Sequence, residues 1–304
     1  MQFLSAEETR AELNSLLYLA GVFDPGWGTV NPIRLVDGLK REAEGLGVKI
    51  FERTRVSGFE REATHMRVKT ASGMMRTDKV VLATDAYTHH VFPRLLRWFI
   101  PVYDYVLVSE PLTAEQLAGI GWRHRQAVVD FRAFFNYYGL TADNRILWGT
   151  SEAMYYAPNR VDATCDHSER HYAALRESFR RHFPQLADLG WEYAWGGPIA
   201  STTRLTPFFG TLERGRLLYG LGYTGLGVAS SRLAGRILAH MALEKPSELL
   251  ELAIARKKPF PYPPEPARSW AVHAVTGSLR RVDAGGKPGM LLRILDALGI
   301  GFSS

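Results

Sequence analysis

The segment spanning residues 216–243 limits the fold more than any other. Residues 216–221 are a short run, apolar after Arg216, as a buried strand is. Gly220-Leu221-Gly222-Tyr223-Thr224-Gly225 has Gly-x-Gly-x-x-Gly spacing, and residues 229–243 then carry helix-forming residues without a break. A strand, a tight glycine turn and a helix in that order point to a layered α/β architecture. As a primary dinucleotide fingerprint, this spacing would need a second parallel strand ending in an acidic residue. Here the helix runs into Lys245-Pro246 and a proline-rich stretch, so no βαβ unit closes. What remains is local. Glycines through Gly227 let a ligand approach the backbone, and the amides opening the helix attract partial negative charge. A tight turn without a ligand is the alternative reading.

Composition narrows the function classes. With 304 residues, 46% of them hydrophobic, the chain can bury the cores of about two domains. Its single cysteine, Cys165, excludes an internal disulfide framework and any multi-cysteine metal or iron–sulfur site. The formal charge is +6, and half of the excess lies beyond Pro246, where eight basic residues face five acidic ones. The remainder is nearly balanced, which argues against nucleic acid as a partner. No apolar run reaches the ~20 residues of a membrane span, and the start MQFLSAEETR lacks a signal peptide's apolar core. The expectation is a soluble, cytoplasmic protein.

Along the chain, Ser5-Ala6-Glu7-Glu8 reads as a capping box opening a short helix toward Leu17. A glycine-rich loop over residues 21–28 precedes Asn31-Pro32, the start of a helix that Gly47 ends. On that helix Ile33, Val36, Leu39, Ala43 and Leu46 share one face. Strand patterns follow at 48–51, 55–60, 65–70 and 74–77, with a turn at Ser72-Gly73, and then the apolar run 80–83. Alternating patterns at 103–109, 128–131, 134–140 and 146–149, with a turn at Asp143-Asn144, predict an antiparallel sheet. A basic helix over 168–183 interrupts it. The expected organisation is a cofactor lobe over 1–100 (with the start of a substrate segment at 1–20), a substrate domain over 101–195, a return to the cofactor lobe over 196–245, and a proline-rich basic tail with a short helix over 246–304.

Taken in order, these motifs resemble the D-amino-acid oxidase (DAO)/glycine oxidase/sarcosine oxidase superfamily of FAD-dependent oxidoreductases. The resemblance rests on residues 21–28 followed by Asn31-Pro32-Ile33-Arg34-Leu35, the strand and its end over 80–87, and Trp195-Gly196-Gly197-Pro198-Ile199. Arg204-Leu205-Thr206-Pro207 and Gly222-Tyr223-Thr224-Gly225-Leu226-Gly227 complete it. Pro101-Val102-Tyr103-Asp104-Tyr105, Asn144-Arg145-Ile146-Leu147-Trp148-Gly149 and the Pro263-Pro264-Glu265-Pro266 segment are most similar to its γ-glutamylputrescine oxidoreductase-like branch. The fold implied is mixed α/β: an incomplete Rossmann-like FAD-binding lobe interleaved with an antiparallel-sheet substrate domain. Such proteins normally begin with a strand, a Gly-x-Gly-x-x-Gly turn and a helix that hold the pyrophosphate, and this sequence starts downstream of that point.

The activity implied is oxidation of a C–N bond. The substrate amine passes a hydride equivalent from its α-carbon to flavin N5, and water hydrolyses the resulting imine. The resemblance puts Val56 near the adenine and Ala83, Thr84 and Asp85 along the cofactor. Gly222, Tyr223, Thr224, Gly225, Leu226, Gly227 and Val228 would hold the pyrimidine edge, which becomes anionic on reduction. Tyr137 and Tyr138 match an aromatic pair over the active-site face, or are two alternating sheet aromatics. Arg204 contacts flavin or substrate, or is an exposed turn cation. Sarcosine oxidases have a substrate-binding lysine where Ala229 stands, and relatives often have arginine where Gly139 stands. Both losses argue against a free amino-acid carboxylate and for a polyamine-type amine. Cys165 matches no flavin-linking cysteine, so the FAD is expected to be non-covalent. No general acid or base stands out, and no metal is expected. His167 and His171 lack the spacing of a zinc helix, and a solvated helix start is the simpler reading. Two other readings remain: a truncated or degenerate binding module, and a protein whose basic, amphipathic tail engages a membrane or partner surface.

Overall fold

The structure, a computed structural model, describes residues 1–300. Its first elements are β1 (Gln2–Leu4) and α1 (Ala6–Glu12). The predicted capping box closes α1: the Ser5 amide donates to Glu8 Oε2 (2.8 Å) and the Glu8 amide to Ser5 Oγ (3.2 Å). The helix stops at Glu12, well short of Leu17. The glycine-rich loop opens as a short strand, β2 (Gly21–Phe23), antiparallel to β1. Proline at the first position then starts α2 (Pro32–Gly45), and Gly47 turns the chain at φ +88°.

An antiparallel meander follows, formed by β3 (Val56–Arg61), β4 (Met66–Thr70) and β5 (Gly73–Thr77). Residues 48–51, expected as a strand, form none: no neighbouring strand accepts their backbone groups, and Val48, Ile50 and Phe51 are exposed. The apolar run becomes β6 (Val80–Leu82), ending in a 3₁₀ turn over Asp85–His90. Next come β7 (Ile100–Ser109), α3 (Ala114–Ile120), β8 (Val128–Val129), β9 (Asn136–Leu140), β10 (Ile146–Thr150) and α4 (Glu169–His182). The chain continues through β11 (Trp191–Ser201), β12 (Phe208–Leu212), β13 (Leu217–Leu221) and α5 (Gly227–Leu243). It finishes with α6 (Ala253–Arg256), α7 (Ala267–Asp283) and α8 (Met290–Ala297).

The chain divides into two compact units. Unit 1 comprises residues 1–31, 103–154 and 162–197. Its sheet has the strand order β11-β7-β10-β9-β8, antiparallel in each register resolved. One face of that sheet packs on α4 through an aromatic cluster. Trp148 meets Phe179 edge-on at 5.3 Å and stacks on Tyr138 at 4.4 Å, with Trp122 and Phe183 closing the group. Arg180, Arg181 and His182 occupy the last turn of α4, where the helix dipole favours cations.

Unit 2 comprises residues 32–102, 155–161 and 198–304. Its central sheet runs β12-β13-β6, with β13 antiparallel to β12 and parallel to β6. Both faces of β13 are covered, as parallel pairing requires. Met66, Leu82, Phe99, Phe208 and Tyr219 fill one side. Leu218 joins Ala234, Ile237 and Leu238 of α5 on the other. Lys79 Nζ donates to Ala242 O and Glu244 Oε1 (both 2.6 Å), tying the start of β6 to the end of α5. β6 lies at the sheet edge with Val81 42% exposed, and no residue of α2 is buried, its apolar face included.

The proline-rich stretch is extended, and it docks: the Tyr262 amide donates to Arg97 O (2.7 Å) and Thr203 Oγ1 to Phe260 O (2.9 Å). Beyond it stands α7, a 17-residue helix that the sequence reading missed. Its β-branched residues and Gly277 lower its intrinsic propensity, and contact with α8, around buried Leu279 and Leu292, compensates. No helix among the described residues is long and apolar enough to cross a membrane.

Candidate functional site

The carboxyl end of β6 meets the glycine turn after β13 through one side chain. Asp85, at φ +37°, accepts from the Gly222 amide at Oδ1 (2.8 Å) and, more weakly, from the Ala200 amide at Oδ2 (3.4 Å). It thus fastens β6, the end of β11 and the glycine turn to one another. Burial pushes its carboxyl above the usual range, opposed by those amide donors. Ala83 and Thr84 are exposed just before it, and Thr84 Oγ1 bonds Thr88 Oγ1 (2.8 Å).

The turn is cross-braced to its neighbour. The Thr224 amide donates to Ala200 O (3.1 Å), and the Thr202 amide donates to Thr224 Oγ1 (3.3 Å). Thr202 Oγ1 donates to Thr206 O (2.9 Å), closing the turn that carries half-buried Arg204. Gly222 has φ +85°, and a Cβ there would lie 2.3 Å from Thr202 Cγ2, so both conformation and space demand glycine. Beyond it, α5 opens with no side-chain cap, and Leu226 (64% exposed) and Val228 (55%) flank its first amides. Val56 stands elsewhere in unit 2, half-buried at the start of β3 opposite Thr70.

In unit 1 the two adjacent tyrosines of β9 point to opposite faces, as strand neighbours must. They therefore cannot both line one site. Tyr138 is buried among Trp122, Trp148 and Phe183, and its hydroxyl shares a hydrogen bond with that of Tyr18. Tyr137 lies on the face away from α4. Its ring crosses β10 above Gly149, where a Cβ would stand 2.3 Å from Tyr137 Cζ, and its hydroxyl donates to Asp104 Oδ2 (2.5 Å). Asp104 Oδ1 accepts from the Tyr105 amide (2.8 Å).

Asp104 was missed as a functional residue, although a carboxylate within the otherwise apolar and aromatic run 101–108 is a legible anomaly. Burial pushes its pKa up to about 6, against the opposing hydrogen bonds from Tyr137 and the Tyr105 amide. The folded state holds this proton more tightly than the unfolded chain, so the stabilisation is full below pH 4 and is lost as pH rises to 6. Two pH units correspond to about 3 kcal/mol. Urea unfolding of the parent should lose stability relative to Asp104→Asn between pH 4 and 7; parallel pH profiles would contradict this. Of the other singled-out side chains, His171 stacks on Tyr105 (4.7 Å between rings), and Cys165 is a buried thiol.

A mixed α/β chain with this clamped glycine turn and this antiparallel sheet finds its class by comparison. The family described as FAD dependent oxidoreductase (DAO) matches residues 1–241, and the chain belongs to it. Among curated relatives, the probable oxidoreductase OrdL of Haemophilus influenzae is 32% identical over 249 residues, covering 80% of this chain and 54% of its own length. The γ-glutamylputrescine oxidoreductase of Escherichia coli is 30% identical over 267 residues, covering 86% of this chain and 59% of its own. The chain therefore spans little more than half the length of these curated relatives. Its fold is similar to L-proline dehydrogenase from P. horikoshii (TM-score 0.69, 21% identity, 82% of this chain and 66% of that one) and to glycine oxidase from Geobacillus kaustophilus (TM-score 0.67, 21% identity, 84% and 67%). Mixed α/β architecture with an antiparallel sheet and FAD as the family's cofactor agree with the expectation from sequence.

Proposed function

We propose that this chain acts as an FAD-dependent oxidoreductase that oxidises the C–N bond of a small, ammonium-bearing amine. The observation that carries the proposal is the clamp of Asp85 on the glycine turn. Asp85 spends its oxygens on the backbone of Gly222 and Ala200, and so acts as the residue that holds the turn. The turn in turn presents the amides at the start of α5, where no side chain competes for them. Those residues fit a flavin. Gly225, Gly227 and the exposed Leu226 and Val228 would hold the pyrimidine edge, with Ala83 and Thr84 beside it. The helix dipole favours the negative charge that edge gains on reduction. Val56 is assigned to the adenine side on resemblance alone.

FAD, when bound, supplies the two-electron acceptor that protein side chains lack. The amine gives up two electrons and one proton from its α-carbon and one proton from nitrogen, and water hydrolyses the imine. Glycine oxidation and proline dehydrogenation are the reactions named for the structural neighbours, and γ-glutamylputrescine oxidation is that named for one curated relative. Gly139 and Ala229 provide no cation for a substrate carboxylate, which favours a polyamine-type substrate. Cys165 matches no flavin-linking cysteine of the family it resembles, which favours FAD held without a covalent link.

The test is spectroscopic. Purified chain mixed with FAD and desalted should keep the flavin absorption bands, and these should bleach anaerobically with a primary amine. Colourless protein after desalting would defeat the proposal for this chain.

A further inference from the structure

We infer that Asp104 is the counter-charge for the ammonium group of a cationic ligand, held on the face of the unit 1 sheet that carries Tyr137. The inference rests on the reading above only in calling that ligand a substrate; the binding itself concerns this chain's own residues.

Tyr137 pairs with Gly149, Gly149 with Val106, and Leu147 with both Gly139 and Val108. Asp104, two residues before Val106, therefore shares a face with Tyr137, Gly139, Leu147 and Gly149. Val106 and Val108 lie on it too, and two of these seven positions are glycine. At Gly149 the absent side chain lets the Tyr137 ring lie across β10 and reach Asp104 on the next strand. At Gly139 the nearest atom to an added Cβ is the Ala127 Cα at 4.0 Å, so the surface there is open. The result is a low floor with a carboxylate at one end.

That carboxylate is short of partners. Each of its oxygens accepts one hydrogen bond, from the Tyr137 hydroxyl and the Tyr105 amide, whereas a carboxylate offers about four acceptor positions. No lysine, arginine or histidine among the described residues pairs with it. A half-buried acid without a counter-charge is costly, and an external cation would supply the charge it lacks. Arginine and guanidinium ligands want a flat bidentate edge. With the Tyr137 hydroxyl on Oδ2 and the Tyr105 amide on Oδ1, the remaining lone pairs suit a compact, three-donor ammonium instead. Beside the Tyr137 ring, the low surface of Gly139 and Leu147 suits the methylene chain behind it.

The probe is 1,4-diaminobutane, titrated calorimetrically into the full chain with and without FAD, with 1,4-butanediol as the neutral control. The diamine should bind and the diol should not. Asp104→Asn should weaken diamine binding about 10- to 100-fold, the range of a charge-assisted hydrogen bond. Tyr137→Phe, which keeps the carboxylate, should weaken it less than about 5-fold. In the unaltered chain, the Asp104 13Cγ resonance should shift on adding diamine and stay fixed on adding diol, a readout independent of whether any variant folds. Diamine affinity unchanged by Asp104→Asn, or an unmoved 13Cγ resonance, would overturn the inference. Flavin retention separates it from the proposed function. A chain that loses FAD yet binds diamine through Asp104 defeats only the oxidoreductase reading, and one that holds FAD but ignores the diamine defeats only this inference.

Discussion

Replacing Gly222 by alanine is expected to cost about 2–5 kcal/mol, from strain at a positive φ and from overpacking. Residue 222 sits at φ +85°, where an L side chain is strained, and the new Cβ would meet Thr202 Cγ2 at 2.3 Å and Phe208 at 3.3 Å. Neither neighbour can yield cheaply. Thr202 is buried and braced by bonds to Thr206 and Thr224, and Phe208 lies in the main core of unit 2. The melting temperature should fall by roughly 5–15 °C, and any FAD retained by the parent should be lost. Gly227→Ala is the matched control. Its nearest contact would be Tyr223 Cβ at 3.7 Å, an ordinary distance, and its φ is not of the left-handed kind. A Gly222→Ala protein that melts within 2 °C of the Gly227→Ala protein would refute the account.

The second large effect belongs to Asp85→Ala. It leaves the Gly222 amide, and less severely that of Ala200, without an acceptor in a buried setting, at about 1–3 kcal/mol for each orphaned donor. Removing a buried charge returns part of this, so a net loss of about 2–3 kcal/mol is expected. Asp85→Asn, which keeps one acceptor oxygen, should lose about half as much. Urea unfolding measures the total. Hydrogen exchange locates it: the Gly222 amide should lose protection in Asp85→Ala while amides in β4 keep theirs. Unchanged protection at Gly222 would show that the clamp does not hold the turn.

What the sequence disclosed depended on how locally each feature is determined. The capping box at Ser5, the proline start of α2 and the glycine turn at 222–227 are written in residues three or four apart, and each formed as expected. Strands are different because a partner decides them. β11 was unreadable because Gly196-Gly197-Pro198 signals a turn, yet pairing with β7 extends it across all three residues. Residues 48–51 fail in the opposite direction: they have strand residues and no neighbour. At the candidate site, Asp85 was legible as the polar end of an apolar strand, but its duty toward Gly222 lies 137 residues away in sequence. Tyr137 and Tyr138 were legible as a pair, and period-two alternation separates them. Asp104 needed the register, because only the alignment of β7, β10 and β9 shows that Gly149 opens the path between it and Tyr137.

The unburied stripe of α2 and the open edge of β6 have a colloidal consequence. Both belong to unit 2, and apolar faces and unpaired strand edges of this kind are where copies of a chain adhere. Against that adhesion stands mutual repulsion from a formal charge of +6. Ions shorten the reach of that repulsion to about 10 Å at 0.1 M salt and about 3 Å at 1 M, while leaving the attraction between apolar surfaces intact. Low ionic strength should accordingly favour separate molecules, and added salt should favour their association.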